Sequence, residues 1–452
     1  MASGQATRKQ LGAWYTPDVL IEAVLDGILA GIDLESRSAP PLRVLDPACG
    51  DGRFLAALAA RSAGRRIELT GCDIDANALA TARRRDDLRA IHANALDYDW
   101  GDTRFDLVIG NPPFLSQMSA LTTRGGSSRH GGGPYADTAA EFLSLAVHLA
   151  KPEDGRIGLI LPQSILGSRD AGRVRDDVAD RSDLIWSWWS PEQADLFDAS
   201  VHVCGLGFET SSSPQPHPPW TTVVTDRLGI PRLEMLATDG TIGDRATTNA
   251  NFRDEYYALV PAVSDEADGP ALITSGVIDP GRCWWGERPI RFARTRFDHP
   301  RVDLDQLHGR FSAWAARKLV PKVIVANQTR IVEAVADVAG AWLPGVPTTT
   351  VIPDHPNDVE PIAAVLTSPV ASAWCWHHTA GTGLSPRAVR VTPGVIASVP
   401  WPRGDLSTAI AALRQGDVKA CGRAVTAAYG IDDDALMTWW SDELPVSSRR
   451  PG

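Results

Sequence analysis

Arg43-Val44-Leu45-Asp46-Pro47-Ala48-Cys49-Gly50-Asp51-Gly52-Arg53-Phe54-Leu55 reads as a short apolar strand, a glycine-bearing turn and a helix that runs through Ala60. In an open α/β sheet, ligands sit at such strand ends, where a glycine-rich turn lets the backbone come close. The next strand, Ile67-Glu68-Leu69-Thr70-Gly71-Cys72, ends in Asp73-Ile74-Asp75, and an acidic side chain at that place commonly takes a ribose diol. The spacing of turn and acid suits an adenosine ligand. It does not suit a dinucleotide pyrophosphate, because Leu55 stands where the third glycine of that fingerprint would fall. A Walker-type nucleotide site is excluded as well, since the chain has no Gly-Lys-Ser/Thr.

Further along, the strand-like run Phe105-Asp106-Leu107-Val108-Ile109-Gly110 leads directly into Asn111-Pro112-Pro113-Phe114. An amine on an aromatic base is a poor nucleophile because its lone pair is delocalised into the ring, so alkylating it requires that pair to be localised. Hydrogen-bond acceptors do this. The side-chain oxygen of Asn111 and the backbone carbonyl of Pro112 can each accept one amino hydrogen and push the nitrogen towards tetrahedral geometry. Pro112 and Pro113 hold φ and restrict the residue before each, keeping the acceptors aimed. Phe114 offers a ring on which an extruded base can stack, a contact of roughly 1–3 kcal/mol.

Four motifs now stand in order: Gly12-Ala13-Trp14-Tyr15-Thr16-Pro17, Asp46 to Gly52, Asp73-Ile74-Asp75 and Asn111 to Phe114. Together they resemble the γ-class DNA N6-adenine methyltransferases of the Taq type. The resemblance implies S-adenosyl-L-methionine as cofactor. Tyr15, Thr16 and Pro17 would lie near its methionine end, with the turn of Asp46, Ala48, Cys49, Gly50 and Gly52 beneath it. Asp73 and Ile74 would meet the adenosine, and Asn111 and Pro112 would face the methyl group. One departure is visible in Ile91-His92-Ala93-Asn94-Ala95-Leu96-Asp97. The family usually has an Asp on the cofactor's adenine amine where this chain has Asn94, beside Ala95. An amide oxygen can still accept that bond, so weakened rather than lost binding is expected.

Glu141-Phe142-Leu143-Ser144-Leu145-Ala146-Val147-His148-Leu149 has helical spacing and leads into the apolar strand Gly155 to Pro162. Leu196 to Phe208 resembles the family's hairpin that supplies a second aromatic against the base, with Phe208 the candidate and Phe197 the alternative. Between the catalytic loop and the helix, Arg124 to Tyr135 is too glycine-rich for regular structure, and Arg124, Arg129 and His130 are candidate phosphate contacts.

The chain has 452 residues, 44% of them apolar, enough for two substantial cores. No apolar run approaches membrane-spanning length and no signal-peptide pattern opens the chain, so a cytoplasmic protein is expected. The six cysteines are isolated, without metal-ligand spacing, so neither a metal site nor a disulfide framework is expected. A net charge of −11 argues against a generally adhesive nucleic-acid binder. The charge is uneven, however. Arg282, Arg288, Arg291, Arg294, Arg296, Arg301, Arg310, Arg317, Lys318, Lys322 and Arg330 face only Glu287, Asp298, Asp303 and Asp305, a local balance of +7. Trp284, Trp285, Phe292, Phe297, Phe311 and Trp314 lie among them. Basic side chains interleaved with aromatics suit a DNA-facing surface, and Arg291, Arg294 and Arg296 are the candidate contacts.

The expected fold class is α/β: a doubly wound Rossmann-like methyltransferase domain over residues 1–212, then an α+β target-recognition domain over 220–405 and a helical tail over 406–452. The polar, proline-rich stretch Thr210 to Pro219 separates the first two. The expected activity is site-specific adenine-N6 methylation of double-stranded DNA, alone or with a cognate restriction nuclease or other defence-system subunits. Asn-Pro-Pro-Phe serves any planar amine, so an RNA base or a protein glutamine amide is the alternative substrate. A catalytically silent DNA-binding subunit is the alternative outside enzymes.

Overall fold

The structure is a computed structural model that describes residues 16–114, 131, 133, 136–191, 202–250 and 253–445. The chain divides into two compact units, Met1–Arg227 and Leu228–Gly452.

The first unit is built on one seven-stranded sheet in the order β3-β2-β1-β4-β5-β7-β6. The strands are β1 (Leu42–Asp46), β2 (Ile67–Asp73), β3 (Leu88–His92), β4 (Leu107–Gly110), β5 (Arg156–Pro162), β6 (Ser182–Trp188) and β7 (Val203–Thr210). The first five run parallel, and β7 joins antiparallel to both β5 and β6. Val44, Leu45, Leu107, Val108, Ile109 and Leu159 are fully buried, as expected of parallel strands covered on both faces. This is the doubly wound α/β architecture read from the sequence.

Helix α1 (Asp18–Leu29) buries Leu20, Ile21, Val24, Leu25, Ile28 and Leu29, the three-and-four spacing of one helix face. It packs on β5 and β7, and Gly158 makes this possible, because a Cβ there would lie 2.6 Å from Ile28. Pro17 stands at the head of α1, so docking this helix on the sheet also fixes where Thr16 falls. Helix α2 (Arg53–Arg61) follows the β1 turn, and α3 (Ala76–Ala82) is capped by the Asp75 carboxylate, which accepts from Asn77 and Ala78 N–H.

In the second unit, an antiparallel sheet pairs Ala334–Asp337, Lys322–Ala326, Thr348–Pro353 and Ala246–Ala250 in that order. A mixed sheet of short strands, a hairpin of Ile290–Phe292 with Thr295–Phe297 and a helix Arg310–Lys318 enclose a core around Leu272, Ile273, Val277, Ile278, Phe292 and Trp314. Two helices follow one another here, Val359–Leu366 and Pro369–Thr379. The break falls where the Ser368 side chain caps the second and proline occupies its first turn. The terminal helices, Ser407–Arg414, Val418–Ala428 and Asp434–Asp442, are part of this unit rather than an appended tail. Trp440 is fully buried, and the Tyr429 hydroxyl donates to Pro400 O at 2.5 Å. The boundary between units lies at Arg227/Leu228, past the proline-rich stretch.

Candidate active site

The order of the sheet reverses between β1 and β4, and ligands of doubly wound sheets collect outside the carboxyl ends at such a reversal. Asp46 closes β1 and Gly110 closes β4. The two touch closely enough that a Cβ on Gly110 would sit 2.6 Å from Asp46 Oδ1, so only glycine lets the carboxylate lie against the end of β4. Asp46 is 2% exposed and its Oδ1 accepts from Ala48 N–H at 3.1 Å. Burial, reinforced by the charges of Asp73 and Asp51, pushes its carboxyl up to about 8.

The turn after Asp46 is tied to the end of β2. Cys49 N–H donates to Cys72 O at 2.9 Å, and Gly50 N–H to Asp73 Oδ2 at 2.7 Å. Gly50 and Gly52 take φ of 52° and 86°, which a side chain would oppose. Asp73 Oδ1 accepts from Asp75 N–H at 2.8 Å, so each carboxylate oxygen carries one backbone donor and keeps capacity for another. Burial raises the pKa of Asp73 as well. Ile74, next to it, leaves an apolar side chain 51% exposed at the strand end.

Asn94, after β3, is exposed and makes a local turn: its Oδ1 accepts from Leu96 N–H at 3.2 Å and its Nδ2 donates to Asp97 Oδ2 at 2.6 Å. Ala95 is buried, and its carbonyl accepts from Trp100 Nε1 at 3.0 Å.

Asn111 follows β4. Its Nδ2 donates to Thr16 Oγ1 at 2.9 Å, while its Oδ1 is buried with no hydrogen-bond partner. A buried acceptor without a donor costs on the order of 1–3 kcal/mol. The orphaned oxygen therefore has unused capacity for a donor. Pro112 is buried, Pro113 half-buried, and Phe114 only 8% exposed, so the ring is largely covered rather than an open platform.

Phe208 corrects the reading of a second stacking aromatic. It is fully buried in β7, between Ile157 of β5 and Leu184 of β6, with its ring 5.2 Å from that of Trp220. Ile157 in turn pairs with Val108, three residues before Asn111. Phe208 thus lies within the sheet, below the strand ends, and is a core residue. Tyr15, Arg124, Arg129, His130 and Phe197 lie outside the described residues. Arg291, Arg294 and Arg296 are exposed in the second unit. Gly110 and Asp97 went unread in the sequence, although each adjoins or falls within a quoted motif. Among the described residues no group of His, Cys, Asp and Glu could hold a metal ion, and no helix is long and apolar enough to cross a membrane.

Residues 44–122 match the protein family described as "Methyltransferase domain". The match takes in most of β1 with its turn, all of β2 and Asn111 to Phe114, and marks this region as similar to methyltransferase domains. Among curated relatives, a type II methyltransferase, M.CvrRI, of Paramecium bursaria Chlorella virus XZ-6E is 25% identical over 181 residues, 39% of this chain and 43% of that protein. The release factor glutamine methyltransferase of Bordetella pertussis is 32% identical over 165 residues, 34% of this chain and 58% of that protein. The chain thus spans about half the length of the curated relatives it matches. A solved methyltransferase subunit of a type I restriction-modification system from Streptococcus thermophilus is 18% identical, with a TM-score of 0.35 over 44% of this chain and 45% of that one.

Proposed function

We propose that this protein is a site-specific DNA adenine-N6 methyltransferase of the γ class, using S-adenosyl-L-methionine and acting on an adenine flipped out of the duplex. The observation that carries this reading is the buried, unpartnered Oδ1 of Asn111, whose amide is tethered through Nδ2 to the Thr16 hydroxyl. The residues at the strand ends fit the cofactor. Asp73 has acceptor capacity for the ribose diol, Ile74 an exposed apolar surface for the adenine, and the Asp46 to Gly52 turn the close backbone approach. Asn94 retains a lone pair on Oδ1 for the adenine amine.

When bound, S-adenosyl-L-methionine supplies an electrophilic methyl carbon. Asn111 Oδ1 accepts one N–H of the target amine, and the Pro112 carbonyl accepts the other. With both hydrogens engaged, the nitrogen lone pair is directed out of the ring plane towards the methyl carbon; transfer would break the carbon–sulfur bond, leave S-adenosyl-L-homocysteine, and lose one amino proton to solvent. Extruding the base costs a few kcal/mol, which binding of the flipped base must offset. A covalent thiolate route has no support among the described residues near the turn: burial pushes Cys72 up to about 12 and Cys49 up as well, so both are neutral thiols at pH 7. The second unit would select the DNA sequence, and a restriction nuclease or defence subunit would be the partner.

The 32% identity to a glutamine methyltransferase favours a second reading, in which the planar amine is a protein glutamine amide. Incubation of the full chain with isotopically labelled S-adenosyl-L-methionine and either unmethylated plasmid DNA or glutamine peptides decides between them. N6-methyl-deoxyadenosine after nuclease digestion is the expected product. Label in the peptide and none in DNA would overturn the proposal.

A further inference from the structure

The second unit sorts the basic stretch of the sequence into groups that serve the fold and groups that do not. Lys322 is buried against Asp337, and Lys318 is buried in its helix. Arg288 makes two contacts with the buried Asp279, at 3.0 and 3.2 Å, and Arg282 lies over the Trp284 ring and pairs with Glu287. Arg301 donates to Gly269 O and covers Trp285, and Arg310 pairs with Asp254. Apart from Lys318, which is buried, these side chains have structural partners. Arg291 and Arg294 have none among the described residues, and Arg296 has only an exposed contact to Asp298 at 3.6 Å.

Those three belong to the hairpin of Ile290–Phe292 and Thr295–Phe297. Its inner face is fixed. Ile290 and Phe292 are buried in the core, and Phe292 lies 5.0 Å from the Tyr256 ring. On the other face Arg291 stands directly opposite Arg296, and like charges placed so repel across an antiparallel pair. The turn between the strands is Ala293-Arg294, with φ of 50° and 69°. Two-residue turns of this kind favour asparagine and glycine, yet here an arginine holds the tip position. A charged pair set against itself, and an arginine kept where glycine would be easier, both make sense if a polyanion neutralises them.

We infer that the exposed face and tip of this hairpin enter the major groove of duplex DNA, with Arg291 and Arg296 on phosphates and Arg294 on base edges. A two-stranded ribbon fits a groove about 12 Å wide, and the arginine fork matches guanine O6 and N7. This rests on the proposed DNA substrate and names the surface that reads it.

The test uses the full chain, a fluorescent duplex carrying its methylation site, and anisotropy over a range of salt. Arg291→Ala and Arg296→Ala should each weaken binding and lower the salt slope by about one. Arg294→Ala should keep most of the slope but relax the set of sites methylated in host DNA, read by modification-sensitive sequencing. Calorimetry with S-adenosyl-L-methionine should give unchanged affinity for all three, which controls for folding. If wild-type protein methylates DNA and the three variants match it in affinity, slope and sites, the hairpin assignment is wrong and the activity stands. If the variants lose duplex binding but wild type transfers no methyl to DNA, the hairpin stands and the activity is wrong. Tighter binding of single-stranded RNA than of the duplex would overturn the choice of partner.

Discussion

Thr16 Oγ1 accepts a 2.9 Å hydrogen bond from Asn111 Nδ2 across ninety-five positions of sequence. An amide can rotate by half a turn with little change in shape, exchanging its donor for its acceptor. The Thr16 hydroxyl tethers the amide through Nδ2, and in that arrangement Oδ1 is left without a partner. Thr16→Val should therefore lower kcat by about 10-fold or more, because the acceptor acts mainly in the transition state. Thr16→Ser should restore most of the rate. Asn111→Ala removes the acceptor itself and should cost on the order of 100-fold or more. Single-turnover rates on DNA check all three, and Thr16→Val matching wild type would remove the positioning role.

Asp73 joins structure and ligand. Its Oδ2 already holds Gly50 N–H at 2.7 Å, so Asp73→Ala loses both a brace of the turn and a charge-assisted bond to the ribose. KM for S-adenosyl-L-methionine should rise by about 10-fold or more, with kcat at saturation changed far less. Asp73→Asn keeps an acceptor and should fall between. Unchanged cofactor affinity in calorimetry of Asp73→Ala would make the ribose assignment untenable.

The difference between Asn111 and Phe208 explains how much was legible in advance. Motifs such as Asp46 to Gly52 and Asn111 to Phe114 join a local backbone shape to a local chemistry, and their order along the chain implied the doubly wound sheet. Whether Phe208 faces a ligand or a core depends on register. It follows from pairing with Ile157 and Leu184 and from Trp220, which lies beyond the strand. No local pattern encodes that. The same holds for the basic stretch, where burial of Lys322 on Asp337 and stacking of Arg282 on Trp284 depend on packing over distances a sequence window does not see.

Phe208→Ala should act on stability. Truncating a fully buried phenylalanine leaves a cavity beside Trp220 and costs about 3–5 kcal/mol. Phe208→Leu should cost less and leave KM for DNA near wild type when assayed below its unfolding temperature. A specific loss of DNA affinity in the folded Leu variant would return Phe208 to the site.

Asp46 gives the site a pH signature. Its folded carboxyl sits at about 8, against 3.8 when unfolded, chiefly because burial penalises the charge. Between those values the folded chain holds a proton that the unfolded chain has released. Stability from this group is therefore full below about pH 4 and falls as pH rises towards 8, by at most about 1.4 kcal/mol per unit. Asp46→Asn carries no such proton. Urea unfolding of the cofactor-free first unit's signal in the full chain, at pH 5 and pH 8, should show a smaller loss in the Asn variant than in wild type. The two proteins losing the same stability between those pH values would mean that Asp46 is ionised throughout, and that a neighbouring donor compensates its charge.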